Sequence, residues 1–349
     1  MGRARKFRLG VFLSIFVGIV ALGIYLSLGA GQSTAEAQKG VYKGIAYSAT
    51  RGGHLVFTEI TIDPDRDFVS GSIAGRMPIP NNEQADALEM SLDQKYLYYP
   101  TWDTSTLYVI DISDRKNPKV VSEKKVFDQP TRFCGSVIGP DGKLYLSSMS
   151  QGDVHKYDIS DPKDPKLMDR LYKATYLCGV QVIEDGKYIW TTDMKESKIH
   201  IYDAKTHEHL KEINIGNGNE FIHRSRLSVD KKWLYQSSSG SKPPAPANGR
   251  VYIIDTKKQK IAETIVLGAG YDVHDVATTP DGKYAIAAAR RVPAPEMKDS
   301  EYVVINLNTK KVIGSISMCK GCHNAMGVDP KVSKEREVFI CGVQIAWEK

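Results

Sequence analysis

The sequence predicts an all-β protein: a single β-propeller of four-stranded antiparallel blades, six or seven in number, with the ring closed by both ends of the chain. Three observations predict it. A short apolar strand ends five times in an Asp-Gly-Lys-like turn, at Asp93, Asp141, Asp185, Asp230 and Asp281. A third strand of the Tyr-Val-Ile-Asp kind then ends at Asp111, Asp158, Asp203, Asp255 and Asn306. The intervals between those ends are 47, 45, 52 and 51 residues, the period of a propeller blade.

The chain has 349 residues, and the repeat covers residues 43–349 as one domain. Before it, Arg3, Arg5, Lys6 and Arg8 precede an apolar run from Leu9 to Leu28, and Ala35-Glu36-Ala37 offers a small-residue cleavage site. Residues 1–37 therefore read as a signal peptide, with retention of residues 9–28 as an N-terminal membrane anchor the alternative. Either places the propeller across a membrane from the cytoplasm. Removing the segment takes away four positive charges and one negative, leaving +3 of the formal +6, which gives no basic surface for nucleic acid.

Blade one reads as Ala87–Asp93, Tyr96–Pro100, Leu107–Ile112 and Val120–Val126. The next four blades begin near Cys134, Cys178, His223 and His274, each rich in Val, Ile, Tyr and Leu. For the last blade, Asn324–Val328 and Glu337–Val343 are expected as first and second strands, with His54–Ile62 and Phe68–Ala74 as third and fourth. Gly44–Ala49 is then a spare strand, which leaves an incomplete seventh blade open. Residues 241–249 and 290–296 lengthen the second-to-third-strand connections of blades four and five and are stiffened by Pro. They read as a partner-binding rim or as tolerated insertions.

Seven residues before each turn Asp stand Asp86, Cys134, Cys178, His223 and His274, and a sixth copy, slightly out of step, is expected at His323. His223, His274 and His323 are thus candidate ligands for one Zn, Cu or Fe ion, the alternative being polar residues lining a water-filled channel. Cys319-Lys320-Gly321-Cys322-His323 matches the attachment pattern of c-type haem, two thiols for the vinyls and an adjacent His for the iron; a thiol pair or disulfide is the alternative. Cys134 and Cys178 read as small buried residues near the channel, and His54, His155, His200, His207 and His209 as surface. No hydrolase triad, phosphate loop or dinucleotide fingerprint is present, so the catalytic residues stay unknown.

Leu107-Tyr108-Val109-Ile110-Asp111 and Val251-Tyr252-Ile253-Ile254-Asp255, each after its turn, resemble the Tyr-Val-Thr-Asn (YVTN) propeller superfamily, which includes the propellers of amine dehydrogenases. More narrowly, the exported single-propeller layout, the length and Met318-Cys319-Lys320-Gly321-Cys322-His323 resemble the beta subunits of hydrazine synthase from anaerobic ammonium oxidisers (anammox bacteria). That resemblance implies a non-catalytic assembly subunit of a multihaem oxidoreductase complex joining nitric oxide and ammonium into hydrazine. It implies haem c on alpha- and gamma-type partner subunits, and a periplasm-like compartment or the anammoxosome lumen as location. The intact haem-attachment pattern departs from a family whose haems sit on the other subunits. A propeller electron carrier with its own haem c, or a metal-dependent channel enzyme, are the alternative functions.

Overall fold

A computed structural model of the chain describes residues 40–171, 174–242, 245–291, 300–318 and 340–348. They form six four-stranded antiparallel sheets. Within each blade the strands are lettered A to D from the centre outward. The A strands are Glu89–Met90, Phe133–Ile138, Leu177–Ile183, Ile222–Leu227 and Tyr271–Thr278 in blades one to five, and Ile340–Trp347 in the closing blade. Each A strand touches the A strands of both neighbours, so the contacts run unbroken around the ring. Among the described residues no helix is long and apolar enough to cross a membrane.

The repeated sequence signals have local causes. In four of the five turns the Asp carboxylate accepts the backbone N–H two residues on, from Lys95, Lys143, Lys232 and Lys283, at 3.1–3.2 Å. The residue between them adopts positive φ at Gln94, Gly142, Lys231 and Gly282, so an Asx turn with a Gly or tolerant polar residue reverses the chain. The strand-ending Asp or Asn does the same for the C–D turn: Asp111 accepts from Ser113, Asp158 from Ser160, and Asn306 from Asn308. The Tyr-Val-Ile stretch before it is buried, as at Leu107–Ile110, because strand C is covered on both faces by neighbouring blades. Strand D is the wet outer edge, illustrated by the exposed run Lys166–Arg170.

The closing blade departs from the expected strand allocation. The chain's early part supplies three strands, Tyr42–Thr50 as B, His54–Asp63 as C and Phe68–Pro78 as D, and the late part supplies only strand A. The apparent spare strand at Gly44–Ala49 lies within strand B, and the ring has six blades. Ile340–Trp347 is therefore strand A, where the sequence had suggested a second strand. Residues 319–339, with the expected strand Asn324–Val328 and with Cys319, Cys322 and His323, lie outside the described residues, as do residues 1–39. Apolar packing ties this blade to both neighbours. Tyr42, Val56, Ile60, Val343 and Ile345 join Ile286, Tyr302 and Val304 of blade five, while Tyr47, Leu55 and Phe57 join Leu97, Tyr99 and Tyr108 of blade one.

Candidate functional site at the mouth of the ring

The A strands carry a shared irregularity. Their pairing with strand B shifts register between Phe133 and Gly135, Leu177 and Gly179, Ile222 and Ser225, and Val273 and Asp275. The closing blade shifts opposite Ser48 and Thr50, between Val343 and Ile340. A bulge re-aims one side chain at a strand start, and here it presents Cys134, Cys178, His223, His274 and Cys341 at the mouth. Among the described residues the sixth equivalent position is Cys341; His323 lies outside them. Cys341-Gly342-Val343-Gln344 repeats Cys178-Gly179-Val180-Gln181, a match in the sequence that the search for an Asp-Gly-Lys turn passes over because no such turn follows. The glycines follow from crowding. A Cβ on Gly135 would lie 2.5 Å from the Cys178 carbonyl oxygen, and one on Gly342 would lie 2.9 Å from the Leu88 nitrogen.

Cys134 and Cys178 form a disulfide between the A strands of blades two and three. In blades four and five the equivalent residues are imidazoles. The rings of His223 and His274 stack with centroids 3.8 Å apart. Asp272 bridges them, with Oδ1 at 3.1 Å from His223 Nε2 and Oδ2 at 2.8 Å from His274 Nε2. Burial, with Arg290 adding to it, holds the His274 pKa well below the ordinary imidazole value, so the ring is neutral. Ser239 Oγ donates to Asp272 Oδ1 at 2.6 Å and also lies 3.1 Å from His223 Nε2. Serine and carboxylate therefore meet the same imidazole nitrogen. In a hydrolytic triad they occupy opposite nitrogens, so this trio cannot relay a proton from the serine.

Asp86 and Cys341 occupy the third pair of positions. Arg51 forks onto Asp86 at 2.7 and 2.8 Å and stacks 3.6 Å from the centroid of the Trp102 ring. Arg290 lies 3.8 Å from Asp86, donates to the Ile340 carbonyl and contacts the Cys341 sulfur. Burial raises the Asp86 pKa, but Arg51, Arg290 and Arg224 outweigh it and hold the carboxylate ionised well below the usual range. Burial pushes the Cys341 thiol up to about 11, so it is not a thiolate nucleophile at neutral pH.

Below the mouth the channel is filled by side chains. Arg224 reaches across to the Cys134 carbonyl at 2.8 Å and pairs with Asp275 at 3.4 Å. Arg226 pairs with Glu89 at 3.4 Å and Asp275 at 3.9 Å. Asp275 also accepts the Val343 N–H at 3.0 Å, and Gln344 donates to the Leu88 carbonyl at 2.9 Å, so strand A of the closing blade is bonded to blades five and one. The sequence reading missed Arg51, Arg224, Arg226, Arg290 and Asp272. Arg224, Arg226 and Asp272 stand within three residues of the aligned His223 and His274, whereas Arg51 and Arg290 carried no such signal. It also misplaced His155, which is fully buried between Asp153 and Tyr157, and His200, which is buried against His209.

Glu89 provides a pH-sensitive element in this plug. Burial pushes its pKa up to about 7, despite Arg226. Below about 4.5 the carboxyl is protonated folded or unfolded; between 4.5 and 7 only the unfolded chain releases the proton. The group's contribution to stability is therefore full at low pH and is lost as pH rises to 7, an effect of about 3 kcal/mol. Glu89→Gln, which mimics the protonated form, should flatten the dependence of unfolding free energy on pH between 5 and 8. Urea unfolding of both proteins at the two pH values measures it.

The long connections of blades four and five leave from this same mouth. Ser239, just after strand B of blade four, touches His223, and Arg290, near the end of strand B of blade five, reaches Cys341. Part of their expected length is ladder: strand C of blade four begins at Asn248, and strand B of blade five runs to Arg291. Residues 243–244 and 292–299 lie outside the described residues.

No family model and no curated protein sequence matches the chain. Solved structures do. Hydrazine synthase from Kuenenia stuttgartiensis aligns at TM-score 0.51 and 21% identity, covering 65% of this chain and 64% of that one. The chain thus spans less than two thirds of the length of that relative. A putative 6-phosphogluconolactonase from Bacteroides fragilis aligns at TM-score 0.57 and 11% identity over 87% of this chain and 98% of that one. A protein of unknown function from Bacteroides caccae aligns at 0.59 and 8% with the same coverages. These likenesses show the fold and leave the reaction open.

Proposed function

We propose that the chain is an exported, non-catalytic propeller subunit of a multihaem oxidoreductase complex resembling hydrazine synthase, acting as its beta-type subunit in assembly and docking. One observation carries the reading. The hydrazine synthase alignment shares 21% of its residues, against 11% and 8% for two propellers that superpose at higher TM-scores. That higher identity, over a shorter aligned span, supports the reading. The mouth supports a structural role: its arginines pair with Asp86 and Asp275, its serine and imidazole do not form a relay, and its described cysteines are a disulfide and a protonated, buried Cys341. In this reading haem c belongs to the partner subunits, and the exported compartment is the one in which such haems are attached.

The second reading, an electron carrier with its own haem c on Cys319, Cys322 and His323, rests on the intact attachment pattern. One experiment separates them. The tagged chain, purified natively from its own host, is expected to co-elute with haem-staining polypeptides at fixed stoichiometry while its own band on a denaturing gel stays unstained. A lone monomer without haem-bearing companions overturns the subunit reading. A stained band at the chain's own mass establishes the carrier reading.

A further inference from the structure

We infer that His223, His274 and Asp272 form a binding site for one divalent transition-metal ion of the zinc type, with the two Nε2 atoms and an Asp272 carboxylate oxygen as ligands. The inference is independent of the docking role, since it holds or fails in the isolated chain. The ligand atoms lie within 4.8 Å of one another, close enough for a small rearrangement to enclose an ion. Two imidazoles and one carboxylate suit zinc, iron or cobalt in preference to calcium or magnesium, which take oxygen ligands.

Charge balance is the first argument. Among the described residues, each other mouth or plug carboxylate has an arginine: Asp86 has Arg51 and Arg290, Asp275 has Arg224 and Arg226, and Glu89 has Arg226. Asp272 has none; its ion-pair partners are the two imidazoles alone. A largely enclosed carboxylate without a cation is costly, and the nearby Arg290 is committed to Asp86 and the Ile340 carbonyl.

The second argument is the His223 ring itself. Its Nδ1 is buried and has no hydrogen-bond partner among the described residues. With the proton on Nε2, the Asp272 contact is satisfied but the Nδ1 lone pair is stranded. With the proton on Nδ1, the Nε2 lone pair faces a carboxylate oxygen. A cation between Nε2 and that oxygen replaces the repulsion with a bond from each atom to the ion. Ser239, donating to Asp272, would then orient the ligating carboxylate, as outer-shell groups do in metal sites. The sequence reading placed His323 third in this set. Asp272, two residues before His274, is the carboxylate that the described structure puts there.

The competing clusters are in blade three, where His200 converges with His209 and Glu212 and also with Asp193 and Glu196. The test therefore titrates Co2+ into the full chain after chelator treatment, following d–d absorption and calorimetric stoichiometry, in the parent and in His223→Ala, His274→Ala, Asp272→Asn and His209→Ala. One equivalent of tight Co2+, displaced by Zn2+, is expected in the parent and in His209→Ala. Its affinity should fall by more than the roughly 10–100-fold that follows loss of an outer-shell partner in each of the other three. Asp272→Asn keeps the side-chain shape, and circular dichroism verifies its fold, so it carries the test if an imidazole deletion fails to fold. Unchanged Co2+ affinity in folded Asp272→Asn, absence of any bound equivalent in the parent, or loss confined to His209→Ala overturns the assignment.

Discussion

Asp86→Ala should cost about 3–5 kcal/mol of folding free energy, read as a lowered denaturant midpoint at neutral pH. The size follows from what remains. Arg51 would lose a two-pronged partner at 2.7 and 2.8 Å, and Arg290 the carboxylate at 3.8 Å. Among the described residues the buried Nε and Nη2 atoms of Arg224 have no hydrogen bonds, so it offers no relief, and three guanidinium groups would face each other around a buried gap. Asp86→Asn should recover only part of the loss, because an amide restores shape but not charge. The sign of the pH effect in the parent is fixed by the depressed carboxyl. The unfolded chain takes up the proton first, near pH 4, so the Asp86 contribution is present above that value and lost as the pH falls further. A variant within 1 kcal/mol of the parent would mean that the arginines disperse their charge in a way this geometry does not provide.

Deleting residues 340–349 should abolish cooperative folding. Strand A of the closing blade pairs with Tyr42–Thr50 from Gly44 opposite Trp347 to Thr50 opposite Ile340. Without it, strand B is left as a bare edge at the crowded centre. Asp275 loses the Val343 N–H, and the Leu88 carbonyl loses Gln344. Ile340, Val343 and Ile345 also leave the apolar cluster shared with blade five. At roughly 2 kcal/mol for each fully buried aliphatic side chain, that packing alone reaches about 6 kcal/mol, a large part of an ordinary domain's stability. Loss of the sharp near-ultraviolet dichroism together with loss of a single unfolding transition is the expected result. A truncated chain with a parent-like transition would show that the ring does not depend on this strand.

The blades were legible because their signals are local. An Asx turn and a capped strand end depend on residues within a few positions, and both recur in the sequence as they do in space. The closing blade was less legible because its partners lie some three hundred residues apart, as with Ile45 and Ala346, and no turn joins them. Counting forward from the blade-five turn pointed to His323, whereas register in the sheet points to Cys341. For the site, alignment found the His and Cys residues but not their counter-charges. Arg51 follows a strand B, Arg290 lies within another, and Arg224 and Asp272 are off the aligned position. Which arginine meets which carboxylate is decided across the ring, and periodicity along the chain carries no trace of it.

The six equivalent mouth residues fall into neighbouring couples. Cys134 and Cys178 are joined covalently, His223 and His274 share Asp272, and Cys341 and Asp86 are linked through Arg290. A ring of six similar wedges is thereby fastened as three two-blade sectors, each by a clasp of different chemistry. A reductant opens the clasp of blades two and three, acid that of the closing blade and blade one, and a bound cation would tighten that of blades four and five. A nominally sixfold architecture thereby has three separately addressable seams.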